Sequence, residues 1–257
     1  MNEILKITNL SKHFGGVKAV NNFNLSLREG QIHGLIGPNG AGKTTIFNLV
    51  TGIYKPTEGT IVFCNQDITG NKPHYIARLG ISRTFQNIKL FSNLSVIQNV
   101  LIAGHKDISY NMFESFARTG KFRREEKQLQ EKAMMLLETV GLADLADKRA
   151  NNLPYGHQRK LEIARALALN PRLLLLDEPA AGMNTEESKE LVTFINNIKE
   201  KFNLTILLIE HHMDVITNLC DVCTVLNFGE TIAEGSPASV KKNPLVIEAY
   251  LGEEYIC

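Results

Sequence analysis

Apolar and polar side chains alternate over residues 4 to 10 and again over 22 to 27, where Phe23, Leu25 and Leu27 share one face. A period of two marks a strand with one face in a core. Between these stretches lie a turn, Phe14-Gly15-Gly16, and the run Val17-Lys18-Ala19-Val20. Residues 31–36, 173–176 and 204–209 are instead short runs apolar enough for strands buried on both faces. Residues 60–63 read as a further strand, and 81–86 as one ending at a glutamine. Helical spacing appears over 74–80, in Val96, Val100 and Ile102, and over 121–140, where Leu129, Met134, Leu136 and Leu137 form the apolar side. It returns over 158–169, with Leu161, Ala164, Leu167 and Ala168 inward, and over 186–201 and 215–219. Asn170-Pro171 stops the first of these three. Residues 222–227 and 231–233 flank Gly229 as a hairpin. The first part of the chain thus predicts antiparallel strands. The second, where helices alternate with buried strands, predicts a parallel sheet.

One stretch adds chemistry to the pattern. Gly37-Pro38-Asn39-Gly40-Ala41-Gly42-Lys43-Thr44 fits G-x-x-x-x-G-K-[ST], between a buried run and the apolar start of a helix. Strand, glycine loop and helix together turn backbone N–H groups toward an anion and add the positive end of the helix. Lys43 is placed to reach the β- and γ-phosphates of ATP, and Thr44 to offer its hydroxyl to Mg²⁺. Residues 37 to 45, Thr45 included, are the expected phosphate seat. Further on, Leu173-Leu174-Leu175-Leu176-Asp177 is an apolar strand ending in a carboxylate that suits Mg²⁺. Glu178 follows at once, positioned to polarise an attacking water.

Composition narrows the setting. The 257 residues fit one large domain or two lobes, and a net charge of +1 offers no broad surface for nucleic acid or anionic membrane. No apolar run approaches the length of a membrane span, and Met1-Asn2-Glu3-Ile4 lacks the basic-then-apolar layout of a signal peptide. A cytoplasmic protein, attached to a membrane only through other subunits, is expected. The charge run over 121–127 mixes both signs and reads as a solvated helix face rather than a nucleic-acid patch. Of four cysteines, Cys220 and Cys223 form C-x-x-C. Their setting, a helix end running into a strand, favours packing over a zinc or redox site.

Further motifs carry a resemblance. With the glycine loop and Asp177-Glu178, the residues Phe14, Gln86, Leu153-Pro154-Tyr155-Gly156-His157, Ala181-Gly182-Met183-Asn184 and His211 stand in the order found in the nucleotide-binding subunit of ATP-binding-cassette (ABC) transporters. The chain resembles that family over essentially its whole length. The resemblance implies an α/β fold: a RecA-like P-loop NTPase core with an N-terminal antiparallel β-subdomain and an inserted α-helical subdomain. The implied boundaries are 1–87 (β-subdomain and first part of the core), 88–165 (helical subdomain), 166–230 (second part of the core) and 231–257 (C-terminal tail).

It also implies roles. Phe14 would stack on adenine, unless it is simply core. Gln86 would meet Mg²⁺ and the attacking water, unless it is a plain strand-end amide. His211 would contact the γ-phosphate, although His212 follows it. Tyr155, Gly156 and His157, in the signature motif, would face ATP held by a second ATPase subunit. This signature departs from the common Leu-Ser-Gly-Gly-Gln: Pro154 has neither hydroxyl nor N–H, Tyr155 and His157 also differ, and Asn184 replaces the usual D-loop aspartate.

Residues 80–87 (Gly-Ile-Ser-Arg-Thr-Phe-Gln-Asn), the stretch Leu90 to Val96, Tyr155, Gly182, Asn184 and the ending from Asn243-Pro244 to Gly252 look like the branched-chain amino-acid importer subfamily. Urea and lipopolysaccharide-export ATPases share parts of this, and a non-transport ABC ATPase is a further alternative. The implied partners are a second ATPase subunit, like or unlike, and two transmembrane permease subunits. A solute-binding protein is implied indirectly, and no nucleic acid. The implied place is the inner face of the cell membrane.

Overall fold

The computed structural model describes residues 2–254. Met1 and residues 255–257, the last of the expected tail and the site of the fourth cysteine, lie outside the described residues. In chain order the elements are β1 (Glu3–Phe14), β2 (Val17–Arg28), β3 (Ile32–Ile36), α1 (Lys43–Val50), β4 (Glu58–Phe63), β5 (Gln66–Asp67), α2 (Pro73–Leu79) and β6 (Ile81–Arg83). Four main helices follow: α3 (Val96–Gly104), α4 (Met112–Phe116), α5 (Gly120–Thr139) and α6 (Tyr155–Ala168). The chain closes with β7 (Leu173–Asp177), α7 (Thr185–Phe202), β8 (Thr205–Ile209), α8 (Met213–Leu219), β9 (Val222–Asn227), β10 (Glu230–Gly235), α9 (Pro237–Val240) and α10 (Pro244–Glu254). These elements make two compact units, Met1–Gln86 with Arg172–Cys257, and Asn87–Pro171.

In the first unit an antiparallel sheet has the order β2-β1-β4-β5. The alternation read over 22–27 belongs to a strand that starts at Val17, not to a separate one. The interruption at Asn22 is a bulge: Asn22 takes a left-handed φ of 50° and donates its N–H to Ser11 Oγ at 3.0 Å, while the pairing register shifts around it. The second sheet runs β10-β9-β3-β8-β7-β6, parallel throughout except for β10 on β9. Every residue of β3, β7 and β8 is buried, which is why these strands are largely apolar without alternation. β6 ends at Arg83, three residues short of the expected Gln86. α1 buries Ile46, Phe47, Leu49 and Val50 in the main apolar cluster, together with residues of both sheets such as Phe23, Phe63, Leu175 and Leu207. This packing fixes the start of α1, and with it the glycine loop, against the carboxyl end of β3.

In the second unit α3, α5 and α6 pack on one another. The inward face of α5 is Leu129, Ala133, Leu136 and Leu137; Met134, expected inward, is exposed. In α3 the inward residues are Val96, Ile97, Asn99, Val100 and Gly104, and Ile102 is exposed. An asparagine holds a core position there because its amide is satisfied. Asn99 accepts the N–H of Phe91 at 2.9 Å and donates to the carbonyls of Phe91 and Ser95 at 3.1 and 3.0 Å. No helix among the described residues is long and apolar enough to cross a membrane.

Candidate functional site

Four neighbouring parallel strands, in the order β3, β8, β7 and β6, end on the same edge of the second sheet. Ligands of open α/β sheets collect beyond such carboxyl ends. Beyond β3 comes the glycine loop. Gly37 has φ 144°, and a Cβ there would lie 2.1 Å from the carbonyl oxygen of Leu226 on β9. Gly42 has φ 103°, and a Cβ there would lie 2.5 Å from the carbonyl oxygen of Ala19. Both positions therefore exclude side chains by close backbone approach as well as by conformation. The loop is also braced from outside. Gly229, in the β9–β10 turn, donates its N–H to Ala41 O at 3.0 Å and accepts that of Asn21 at 2.9 Å.

α1 opens on Gly42 with no side-chain cap, and the start of a helix turns its backbone N–H groups toward an anion. Pro38 is buried; Asn39, Gly40 and Thr44 are exposed, and Thr45 is half-buried. Lys43 is buried and turns its ammonium into the loop, donating to Gly37 O at 2.6 Å and Pro38 O at 2.7 Å. An uncapped helix start, an inward lysine and an exposed threonine hydroxyl suit a phosphate chain with its metal ion. Phe14 is exposed at the end of β1, edge-on to Tyr54 with ring centroids 5.2 Å apart, and Lys12 Nζ sits 5.0 Å from its centroid. Its exposure sets it apart from the core.

Asp177 closes β7. Its Oδ2 accepts from Arg83 Nη2 at 2.6 Å, and its N–H points at Thr84 Oγ1 at 3.3 Å. Arg83 also donates through Nη1 to Asn48 Oδ1 on α1 at 2.6 Å, and it lies 5.3 Å and 5.1 Å from the ring centroids of Phe47 and Phe85. In the sequence Arg83 stands out only within the 80–87 stretch, with no role of its own. Only its place three residues before Gln86, in a strand paired with β7, marks it.

Glu178 adopts φ 45°, unusual for a residue with a side chain, and its N–H is held by Ile209 O at 2.9 Å. Outliers of this kind gather at functional sites. Gln86, exposed just past β6, donates its Nε2 to Glu178 Oε2 at 2.7 Å. His211 Nδ1 lies 3.9 Å from the same oxygen. Glu178 and Gln86, expected at the attacking water, and His211, expected at the γ-phosphate, therefore converge. Of the two histidines, His211 is the one beside Glu178; His212 Nδ1 contacts Glu210 Oε2 at 3.1 Å. Glu210, fully buried and also missed by the sequence reading, ties the neighbouring loops together. It accepts Ala180 N–H at 2.9 Å, His211 N–H at 2.9 Å and His212 N–H at 3.2 Å.

The signature residues belong to the second unit. Pro154 is the N-cap of α6 and supplies no side-chain cap, so the amides of Tyr155, Gly156 and His157 form an open helix start. A Cβ at Gly156 would meet open space. Tyr155 is exposed, and its hydroxyl accepts from Arg159 Nη2 at 3.3 Å. Arg159 is wholly buried and pairs with Glu162 at 2.8 Å. Asn184, in the first unit, caps α7: it accepts Glu187 N–H at 3.0 Å, while Glu187 accepts Asn184 N–H at 2.9 Å. Asparagine caps as well as aspartate, so this departure from the common D-loop leaves the helix start intact. Cys220 and Cys223 are buried, free thiols packed against Gly34, whose Cβ would lie 3.0 and 3.1 Å from their sulfurs.

The comparisons agree with this geometry. The family model described as "ABC transporter" matches residues 20–181, and "Branched-chain amino acid ATP-binding cassette transporter" matches residues 230–256. The chain belongs to the ABC transporter family, as an α/β P-loop NTPase cassette. It is 46% identical over 250 residues, 97% of this chain and 98% of the relative, to the high-affinity branched-chain amino acid transport ATP-binding protein LivG of Escherichia coli strain K12. The crystal structure of the ADP conformation of MJ1267, an ATP-binding cassette of an ABC transporter, is 35% identical with a TM-score of 0.86, covering 98% of this chain and 100% of that one. A dimeric, post-hydrolysis ATP-binding cassette, MJ0796 bound to ADP and Pi, is 25% identical with a TM-score of 0.76, covering 91% and 99%.

Proposed function

We propose that this chain is the ATP-binding and ATP-hydrolysing subunit of an importer of branched-chain amino acids, working at the inner face of the cell membrane with two permease subunits and, through them, a solute-binding protein. The solute assignment is supported by the similarity to LivG along nearly all of both chains and by the match over residues 230–256. The convergence of Gln86 and His211 on Glu178 carries the hydrolytic reading.

In this reading residues 37–45 cradle the phosphates of ATP, Lys43 reaches the β- and γ-phosphates, and Phe14 stacks on adenine. Thr44, Gln86 and Asp177 would hold Mg²⁺, which would supply charge neutralisation on the phosphates. Glu178 polarises the attacking water, Gln86 fixes the orientation of the Glu178 carboxylate, and His211 contacts the terminal phosphate. Tyr155, Gly156 and His157 lie at a helix start able to face ATP held by a second subunit; the dimeric relative supports a pair of cassettes as the working unit. ATP would then touch both halves while ADP loses the γ-phosphate link, so nucleotide state biases an open–closed equilibrium.

Glu178→Gln tests the role of Glu178. The variant should bind ATP normally and lose about 100-fold or more in turnover, the usual contribution of a general base. Leucine uptake by the reconstituted transporter should fall in parallel. Near-native ATPase would remove Glu178 from this role.

A further inference from the structure

Three of the most exposed apolar side chains in the protein stand together on one short helix. Met112, Phe113 and Phe116 of α4 are 85%, 87% and 91% exposed. The segment that carries them is tightly built. Asn111 and Glu114 form a reciprocal capping box at the start of α4. Ser109 is held through its N–H and hydroxyl by Glu125 at 2.9 and 2.7 Å, and Tyr110 donates its hydroxyl to Glu126 at 2.5 Å and packs edge-on to Phe122. Glu114 meets Lys121 at 3.4 Å. A clipped platform that presents aromatic side chains to solvent indicates a surface made to be covered.

The charge pattern says by what. Glu114, Glu125 and Glu126 are engaged within the platform, whereas Arg118, Arg123 and Arg124 are exposed and make no ion pair among the described residues. The net charge of +1 for the whole chain conceals this local excess. Exposed apolar rings in a segment that also exposes three arginines suit an anionic lipid surface, where rings sit at headgroup depth and each basic residue adds attraction. Cytoplasmic loops of membrane proteins carry an excess of Lys and Arg, which would repel these arginines. We propose that α4, with Arg118, Arg123 and Arg124, is a contact for the anionic headgroups and outer acyl region of a bilayer.

Flotation of the full chain with phosphatidylcholine vesicles, with and without phosphatidylglycerol, tests this. It needs neither nucleotide nor a partner subunit, so its failure leaves the ATPase reading intact. Binding should require phosphatidylglycerol and weaken with salt. Attraction of about fivefold per basic residue is the usual scale. The variant Arg118→Gln/Arg123→Gln/Arg124→Gln should therefore lose at least about tenfold in partitioning, as should Phe113→Ser/Phe116→Ser, with thermal unfolding unchanged in both. The chain has no tryptophan, so Phe116→Trp gives a single indole whose emission should shift to the blue on vesicle binding. The proposal is overturned by binding that ignores phosphatidylglycerol, by variants that partition like the native chain, or by an indole that stays in water on bound protein. Loss of assembly with the permease in detergent, with vesicle partitioning unchanged, would assign the patch to a protein partner instead.

Discussion

Arg83 Nη2 lies 2.6 Å from Asp177 Oδ2, with only 6% and 4% of the two side chains exposed. The pair joins β6 to β7 and, through Asn48, to α1, so one guanidinium links the strand that ends in Asp177 to the helix that follows the glycine loop. Breaking a buried pair from one side leaves an uncompensated charge and costs about 3–5 kcal/mol. Arg83→Met, which keeps the stem against Phe47 and Phe85, should lower unfolding free energy by about that much. Adding Asp177→Asn should restore part of it. Urea denaturation across the double-mutant cycle measures the coupling, and purely additive losses would show that the contact carries none.

His33 sets a pH dependence. It is buried on β3, and its Nε2 lies 2.8 Å from Thr224 Oγ1, which itself donates to Glu234 Oε2 at 3.2 Å. Thr224 has one proton to give, so His33 is the donor through Nε2, and its Nδ1 is a buried atom with no partner. Burial pulls the imidazole down to about 4, against the opposing pull of nearby Asp221. A depressed histidine favours the neutral folded form. The stability it contributes is whole above the unfolded value near 6.5 and is lost as pH falls from there toward 4, about 3 kcal/mol in all. His33→Gln, which keeps a donor for Thr224, should flatten the fall in unfolding free energy between pH 7 and 5. An unchanged slope would assign that fall to other groups.

Asn184 isolates capping from catalysis. Asn184→Asp should leave thermal stability within a few tenths of a kcal/mol, whereas Asn184→Ala should lose about 1 kcal/mol by opening the start of α7. Differential scanning calorimetry separates the two. Equal losses would mean that the box with Glu187 contributes nothing.

Pro154 offers no hydroxyl at the open start of α6. Pro154→Ser, placed in the Glu178→Gln background to hold ATP, should tighten ATP-driven pairing of cassettes in sedimentation velocity. No change in the dimer fraction would show that the missing hydroxyl has no part in pairing.

The strands, the helices and the glycine loop were legible because each is written in local spacing. A doubly buried strand is mostly apolar, as β3, β7 and β8 are, and Gly37 and Gly42 sit where a Cβ would strike the carbonyl oxygens of Leu226 and Ala19. Helix faces were less legible. Ile102 and Met134 are apolar yet exposed, while the satisfied amide of Asn99 takes an inward place, because burial depends on which neighbour supplies hydrogen bonds. The sequence by itself therefore carried the fold class, the glycine loop and the strand-end pair Asp177-Glu178, since backbone sterics and charge placement act within a few residues, whereas Gln86 and His211 stood out only through the family resemblance. Only the tertiary structure decided that Arg83 grips Asp177, that Glu210 ties three neighbouring amides, and that Gln86 reaches Glu178. Arg83 to Asp177, Glu210 to Ala180 and Gln86 to Glu178 join residues 94, 30 and 92 apart in the chain, and strand order, not local spacing, sets their distances.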